Sequence, residues 1–394
     1  MVIEIRKVNF VNKGAELMLL AILDRLRSRY PDAKIVMQPV NARKGYPAGA
    51  DYLERAKLNL YQKVHFRKYG IEWDKIFNYV PKGFRDRFGL VLDSEVDIVL
   101  DAAGFAYGDQ QGVMNTVGTA LDVKRWKKNN TIVIFMPQAF GPFKNKKIKK
   151  AFQTILELAD RIFIRDKISY KYVEELNPIQ ENYSLYPDFT NLLEGTLPNN
   201  FNTEENKICI VPNIRMLDKT TTSDAQQYPI FMSKCIKLLK SHNLKPFFLI
   251  HEGKEDLELA KKIMKLANAE LNIVIEKDPL KIKGIIGACD GMIGSRFHGL
   301  VNALSQGVPA IATGWSHKYE MLLNDYNFKE GLLSVDASDE KINAALSVLI
   351  DQTKRERAKK TIKNSSDIQK ALVLKMWDEI YGIIDKKSMD DVNE

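Results

Sequence analysis

The chain has 394 residues, of which 45% are hydrophobic, and 59 Lys and Arg stand against 50 Asp and Glu for a net charge of +9. It is too long for a single domain of roughly 100–200 residues, and its composition excludes long disorder. No apolar run approaches the ~20 residues that span a bilayer, and no zinc-finger spacing, RNA-binding motif or basic arm points to nucleic acid.

Short β-branched runs alternate with longer amphipathic stretches from the start. Strands are predicted at Val2–Ile5, Lys34–Met37, Asp97–Asp101, Thr131–Met136 and Arg161–Ile164, with helices at Ala15–Arg29, Val113–Lys128 and Lys146–Asp160. A polar Gly-, Pro- and Asn-containing stretch at Leu193–Asn206 reads as a linker. The rhythm then restarts with strands at Lys207–Val211, Lys245–Ile250, Asn272–Ile275, Asp290–Ile293 and Val308–Ala312. Helices fall between them, and the tail Asp336–Lys387 is all-helical.

This order predicts an α/β protein of two doubly wound, Rossmann-like domains facing a cleft, at 1–193 and 207–335. The helical tail, 336–394, has no strand of its own and is expected to pack back on the first domain. Ligands of such sheets bind in the loops after the strands. The N-terminus MVIEIRKVNF lacks a signal-peptide core. Cys209, Cys235 and Cys289 are odd in number and widely separated, so they form neither a disulfide framework nor a metal motif. A reducing cytoplasmic setting is expected. The +9 excess reads first as solvated lysine faces, then as attraction to anionic substrates, then as peripheral contact with an acidic lipid surface.

The strongest local signal is Gly294-Ser295-Arg296-Phe297-His298-Gly299, which follows a strand and opens a helix predicted at His298–Gln306. Gly307 and Pro309 then end that helix. Arg296 offers a fork for carboxylate or phosphate, and His298 exchanges a proton near neutral pH. A structural Arg pair and a packing His remain the alternative. The next strand leads to Gly314-Trp315-Ser316-His317-Lys318, with Ser316 as an N-cap and Lys318 as a second cation at a helix start; His317 reads equally well as a surface residue. In the first half, Asn12-Lys13-Gly14-Ala15-Glu16, Gly104–Asp109, Pro137–Pro142 with Gln138 and Arg165-Asp166 follow strands, and Tyr186-Pro187-Asp188 reads as a turn. Arg165 is either a ligand-binding cation or the partner of Asp166. His251 follows a strand and is either a cleft residue or a solvated loop residue.

These loops, in this order and over roughly the first 330 residues, resemble the polysaccharide pyruvyl transferase family. The Arg296-Phe297-His298 block is specific, whereas Ala102-Ala103-Gly104 carries less glycine than the family commonly has. The resemblance implies a fold similar to B-type glycosyltransferases and phosphoenolpyruvate as donor, with no cofactor and no metal. On it, His298, Arg296 and Lys318 are expected to be catalytic, with His298 the general acid. Arg165, Ser295, Gly299, Ser316 and His317 are expected around the donor. Asn12, Gly14, Glu16, Gln138 and Asp188 are expected on the acceptor or cleft side. A saccharide, lipid-linked or not, is the expected acceptor. Two other readings stand beside this one. The first is a nucleotide-sugar glycosyltransferase of the same fold, which would want an acid where Asn302 stands. The second is a non-catalytic basic subunit of a glycan-synthesis assembly.

Overall fold

A computed structural model describes residues 1–38, 50–64, 67–68, 71–72, 77–176, 181–314 and 317–393. The chain forms two compact units. Met1–Val11, Met18–Asp188 and Leu374–Glu394 make the first; Asn12–Leu17 and Phe189–Val373 make the second.

The first unit is built on eight strands: β1 (Val2–Arg6), β2 (Lys34–Met37), β3 (Tyr61–Val64), β6 (Leu90–Leu92), β7 (Ile98–Asp101), β8 (Ile132–Gln138), β9 (Arg161–Ile164) and β10 (Tyr183–Leu185). Their order is β10-β9-β8-β7-β1-β2-β3-β6, and every pairing is parallel. A separate antiparallel pair joins β4 (Arg67–Lys68) and β5 (Ile71–Glu72). Parallel strands covered on both faces are apolar runs, and β7 and β8 fit that rule. β3 does not. Its Lys63 is fully buried, because Glu4 of β1 and Asp93 receive its ammonium group.

The second unit carries β11 (Ile208–Val211), β12 (Pro246–Ile250), β13 (Ile273–Ile275), β14 (Gly291–Gly294) and β15 (Ala310–Ala312) in the parallel order β13-β12-β11-β14-β15. Its strands pack into one apolar core with the helices Thr222–Ser241, Gly253–Ala267 and Phe297–Leu304. The order reverses between β11 and β14, so the loop after β14 lies at a topological switch point, where doubly wound sheets bind ligands.

The two parallel sheets and the helical tail meet the sequence expectation; several boundaries do not. β3, β6 and β10 were absent from the predicted strands, since each is short and β3 hides its lysine in an ion pair. The stretch expected as a linker is packed on the second unit instead. Thr196 N–H donates to the Leu280 carbonyl at 2.9 Å, and a Cβ on Gly195 would stand 2.4 Å from the Gly284 nitrogen. The tail is divided between units. Within the helix Gln352–Asn393, Ala358 and Ile362 enter the second core, and Ser366 Oγ donates to the Ser305 carbonyl at 2.7 Å. Further along, Trp377, Ile380 and Ile384 are buried, and Arg161 reaches Glu379 at 2.6 Å in the first unit. The helix carries two successive sets of buried apolar residues, one in each unit.

Candidate functional site

The second unit gathers the loops that follow β11, β12, β14 and β15. The Gly294-to-Gly299 turn is pinned from three sides. The Ser295 carbonyl accepts from Asn213 Nδ2 at 2.8 Å and from the Tyr319 hydroxyl at 3.0 Å, while Ser295 Oγ meets the Tyr228 hydroxyl at 3.1 Å. Ser295 is fully buried. It shapes the loop rather than facing a ligand. Gly299 lies against Met292, where a Cβ would come 3.0 Å from the Met292 methyl, so it seats the helix Phe297–Leu304 on β14.

Arg296 precedes that helix and is 9% exposed. Its Nε donates to Asp256 Oδ2 at 3.1 Å; one terminal nitrogen also meets Asp256 and the other meets Glu252. Both carboxylates belong to the start of the helix Gly253–Ala267, one turn apart, and Asp256 also accepts from Ile214 N–H at 2.9 Å. Arg296 is thus the structural partner of two carboxylates, and its charge is already matched. Sequence reasoning missed Glu252 and Asp256. The available signal was their i, i+4 spacing directly after a strand.

His298 sits one residue into its helix, edge-on to Phe297 at 5.5 Å. Gly14 lies against its ring so closely that a Cβ there would stand 2.2 Å from Nδ1. No other residue type fits at position 14 unless His298 moves. Gly14 belongs to the short segment Asn12–Leu17 that groups with this unit. Asn12 caps the helix Lys13–Arg29, its Oδ1 accepting from Ala15 N–H at 3.0 Å, and Lys13 N–H donates to Glu252 Oε1 at 3.3 Å. Glu16 pairs with Lys13. Glu252 therefore bridges the start of this helix and Arg296.

Lys318, in the first turn of the helix His317–Asp325, places its ammonium 5.2 Å from the Phe297 ring and 5.3 Å from the Tyr319 ring. Phe297 thus joins the Arg296–His298 turn to Lys318. His317 opens the same helix and is half-buried. Ser316 lies outside the described residues.

His251 directly follows β12, beside this cluster. Both of its ring nitrogens are sealed from solvent and find no hydrogen-bond partner among the described residues. Burial, with Arg296 and Lys13 nearby, lowers its pKa to about 3, so the ring is neutral near pH 7. A solvated loop histidine would show neither property.

The remaining expected residues lie in the first unit. Arg165 is buried and pairs with Asp188 at 3.2 Å, while Asp166 caps the next helix through Ser169 N–H at 2.8 Å. Arg165 is therefore a partner of Asp188. Gln138 is fully buried, and its Nε2 donates to the Asp101 carbonyl at 3.1 Å, tying β8 to β7. Among the described residues, no group of His, Cys, Asp or Glu could hold a metal ion, and no helix is long and apolar enough to cross a membrane.

The sequence matches the family described as polysaccharide pyruvyl transferase over residues 12–317. No curated protein matches the sequence. Among solved structures, HepE of Anabaena in complex with UDP and glucose is similar at 12% identity and TM-score 0.60, covering 98% of this chain and 99% of that one. S. aureus MnaA with UDP is similar at 11% identity and TM-score 0.60, covering 98% and 96%. WaaG, a glycosyltransferase involved in lipopolysaccharide biosynthesis, is similar at 12% identity and TM-score 0.51, covering 97% and 100%. At such identities the likeness concerns the fold, which is that of the B-type glycosyltransferases and related epimerases.

Proposed function

The chain belongs to the polysaccharide pyruvyl transferase family, and from that premise we propose that it transfers a pyruvyl group from phosphoenolpyruvate to a sugar of a surface polysaccharide or its lipid-linked precursor, as a ketal. The observation that carries this reading is the packing of both His298 and Lys318 against Phe297, at the helix start beside the switch point.

Phosphoenolpyruvate brings a carboxylate and a phosphate. A helix N-terminus and an ammonium group suit both. Protonated His298 would give its proton to the methylene carbon, which leaves an oxocarbenium centre at C2. One sugar hydroxyl adds there and returns its proton to His298. The C2–O bond to phosphate then breaks, and a second hydroxyl closes the ketal, its proton leaving with the phosphate. Arg296, already matched by Glu252 and Asp256, would orient the His298 turn, and Lys318 would meet the donor anions. The nucleotide-sugar alternative wants an acid at position 302. Asn302 is buried within its helix instead.

The test combines thermal shift with mass spectrometry of acceptor oligosaccharides. Phosphoenolpyruvate is expected to raise the melting temperature and nucleotide sugars are not. His298→Ala is expected to retain donor binding while turnover falls about 10²- to 10⁴-fold. Stabilisation by nucleotide sugars alone would replace this reading with the glycosyltransferase one.

A further inference from the structure

The segment Phe143–Lys150 places five lysines, Lys144, Lys146, Lys147, Lys149 and Lys150, within seven residues. All five are exposed. Elsewhere many surface lysines sit beside carboxylates, as Lys34 does with Asp86 and Lys127 with Asp160. None of these five makes an ion pair among the described residues. Their position makes the cluster more unusual. Asn145 caps the helix Lys146–Leu158 through Lys147 N–H at 2.9 Å, so the lysines crowd the first turn, which holds no acidic residue. A helix N-terminus is already the positive end of the dipole, and cations there oppose folding rather than help it. The apolar side of the same helix is spent in the core, with Ile148, Phe152 and Ile155 buried. The lysines therefore occupy the solvent side of this helix start.

The neighbouring helix, Val113–Lys128, packs against this one, and Asp109 just before it binds the backbone N–H of Lys144 at 2.8 Å and of Asn145 at 3.1 Å. That helix exposes Met114 by 79% and Leu121 by 52%. Exposed apolar side chains thus stand on the helix next to the one that carries the lysines.

We infer that this face of the first unit docks on an anionic lipid surface. Charge complementarity argues for it: five lysines lacking ion-pair partners among the described residues, held at a site where they disfavour folding, fit a plane of negative headgroups. Lysine is a hydrated point charge suited to diffuse attraction, and each one near an acidic bilayer strengthens attachment several-fold. The inference does not depend on the identity of the donor.

The test uses the full chain with vesicles of phosphatidylcholine alone and with added phosphatidylglycerol. Partition is expected only to the anionic vesicles and to weaken as salt rises. Lys146→Glu/Lys147→Glu/Lys150→Glu is expected to lower it about a hundredfold or more. The same triple change places acid at a helix N-terminus, so its melting temperature is expected to hold or rise, which separates lost docking from lost folding. Lys237→Glu/Lys262→Glu/Lys281→Glu, an equal charge change on exposed positions of the second unit, is expected to leave most of the binding. Equal loss in both triple variants would reduce the effect to net charge and overturn the inference. So would absence of binding, indifference to lipid charge, or tighter binding of duplex DNA than of anionic vesicles at the same salt.

Discussion

The two sheets handle charge in opposite ways. In the first unit, ionic groups lie inside. Glu4 and Arg6 of β1, Lys63 of β3, Asp93, Asp122 and Arg125 form a chain of pairs: Lys63–Asp93 at 2.6 Å, Arg125–Asp93 at 2.6 Å, Arg125–Asp122 at 2.8 Å and Arg6–Asp122 at 2.9 Å. Trp126 is their common floor, with Arg6 at 4.5 Å and Lys63 at 5.3 Å from its ring, and its indole N–H donates to Asp93 at 3.2 Å. In the second unit the strands are apolar throughout. Lys283 is buried and donates to the Thr190 carbonyl at 2.9 Å, and the ion pairs of Arg296 with Glu252 and Asp256 sit at the carboxyl edge of the sheet. Charge in the first unit belongs to packing; in the second it holds a loop that carries a titratable side chain.

If that contrast is right, breaking the inner network should cost folding and breaking the outer one should cost turnover. The largest effect is expected from Lys63→Met, which leaves Glu4 and Asp93 buried with a cation missing. A loss of about 3–5 kcal/mol is expected. Denaturant-dependent hydrogen exchange should place the loss in β1 and β3, and an unchanged exchange pattern there would remove the network from the account.

Next in size is Gly14→Ala. The added methyl must push the His298 ring aside, and a misplacement of about 1 Å can cost about a hundredfold in rate. Donor binding measured by calorimetry should persist while turnover falls. A full-speed enzyme with the methyl present would mean that the ring has no fixed catalytic position.

Asp256→Asn should cost about 1–3 kcal/mol in the second unit, because it removes a carboxylate that satisfies both Arg296 and the Ile214 N–H. The loss should appear in turnover as well as in stability. Asp256→Glu should recover more stability than turnover if geometry matters beyond charge.

The smallest effect is a pH dependence. The folded-state pKa of His251, about 3, lies below the ordinary value of 6.5. As pH falls from 6.5 the unfolded chain takes up the proton first, so stability declines from about 6.5 downward. Asp93 and Asp122 are also held below the ordinary carboxylate value of 3.8, chiefly by Lys63 and Arg125 for Asp93 and by Arg6 and Arg125 for Asp122, against the opposing pull of burial. Their contribution is complete above about pH 4 and is lost only below it. Unfolding curves at pH 7, 6 and 5 should therefore report His251 and not the network. His251→Asn should flatten them; a slope unchanged in that variant would assign the dependence elsewhere.

Much of this was legible beforehand. The β-then-α rhythm is written in apolar runs, and a strand–turn–helix reading of Ser295–His298 needs only Gly294, Gly307 and Pro309. What misled the reading was burial of charge. Lys63 makes β3 look like a loop residue by residue, since only the distant Glu4 and Asp93 render it buriable. Gln138 looked like a loop side chain but ties β8 to β7. Position alone leaves Arg165 open between a ligand-binding cation and the partner of Asp166, and its pairing with Asp188, 23 positions on, is set by the fold.

By itself, then, the sequence determined the periodicity, the two parallel sheets, the helical tail and the strand-end positions of Arg296, His298 and Lys318. Those follow from local rules of period, capping and chain reversal. Only the tertiary structure decided that Arg296 would spend its charge on Glu252 and Asp256, that Gly14 would lie against His298, that His251 would be sealed and neutral, and that the final helix would divide between two cores. Each of these depends on contacts between residues far apart in the chain, and desolvation, which sets the strength of every such pair, exists only once the surrounding side chains have excluded water.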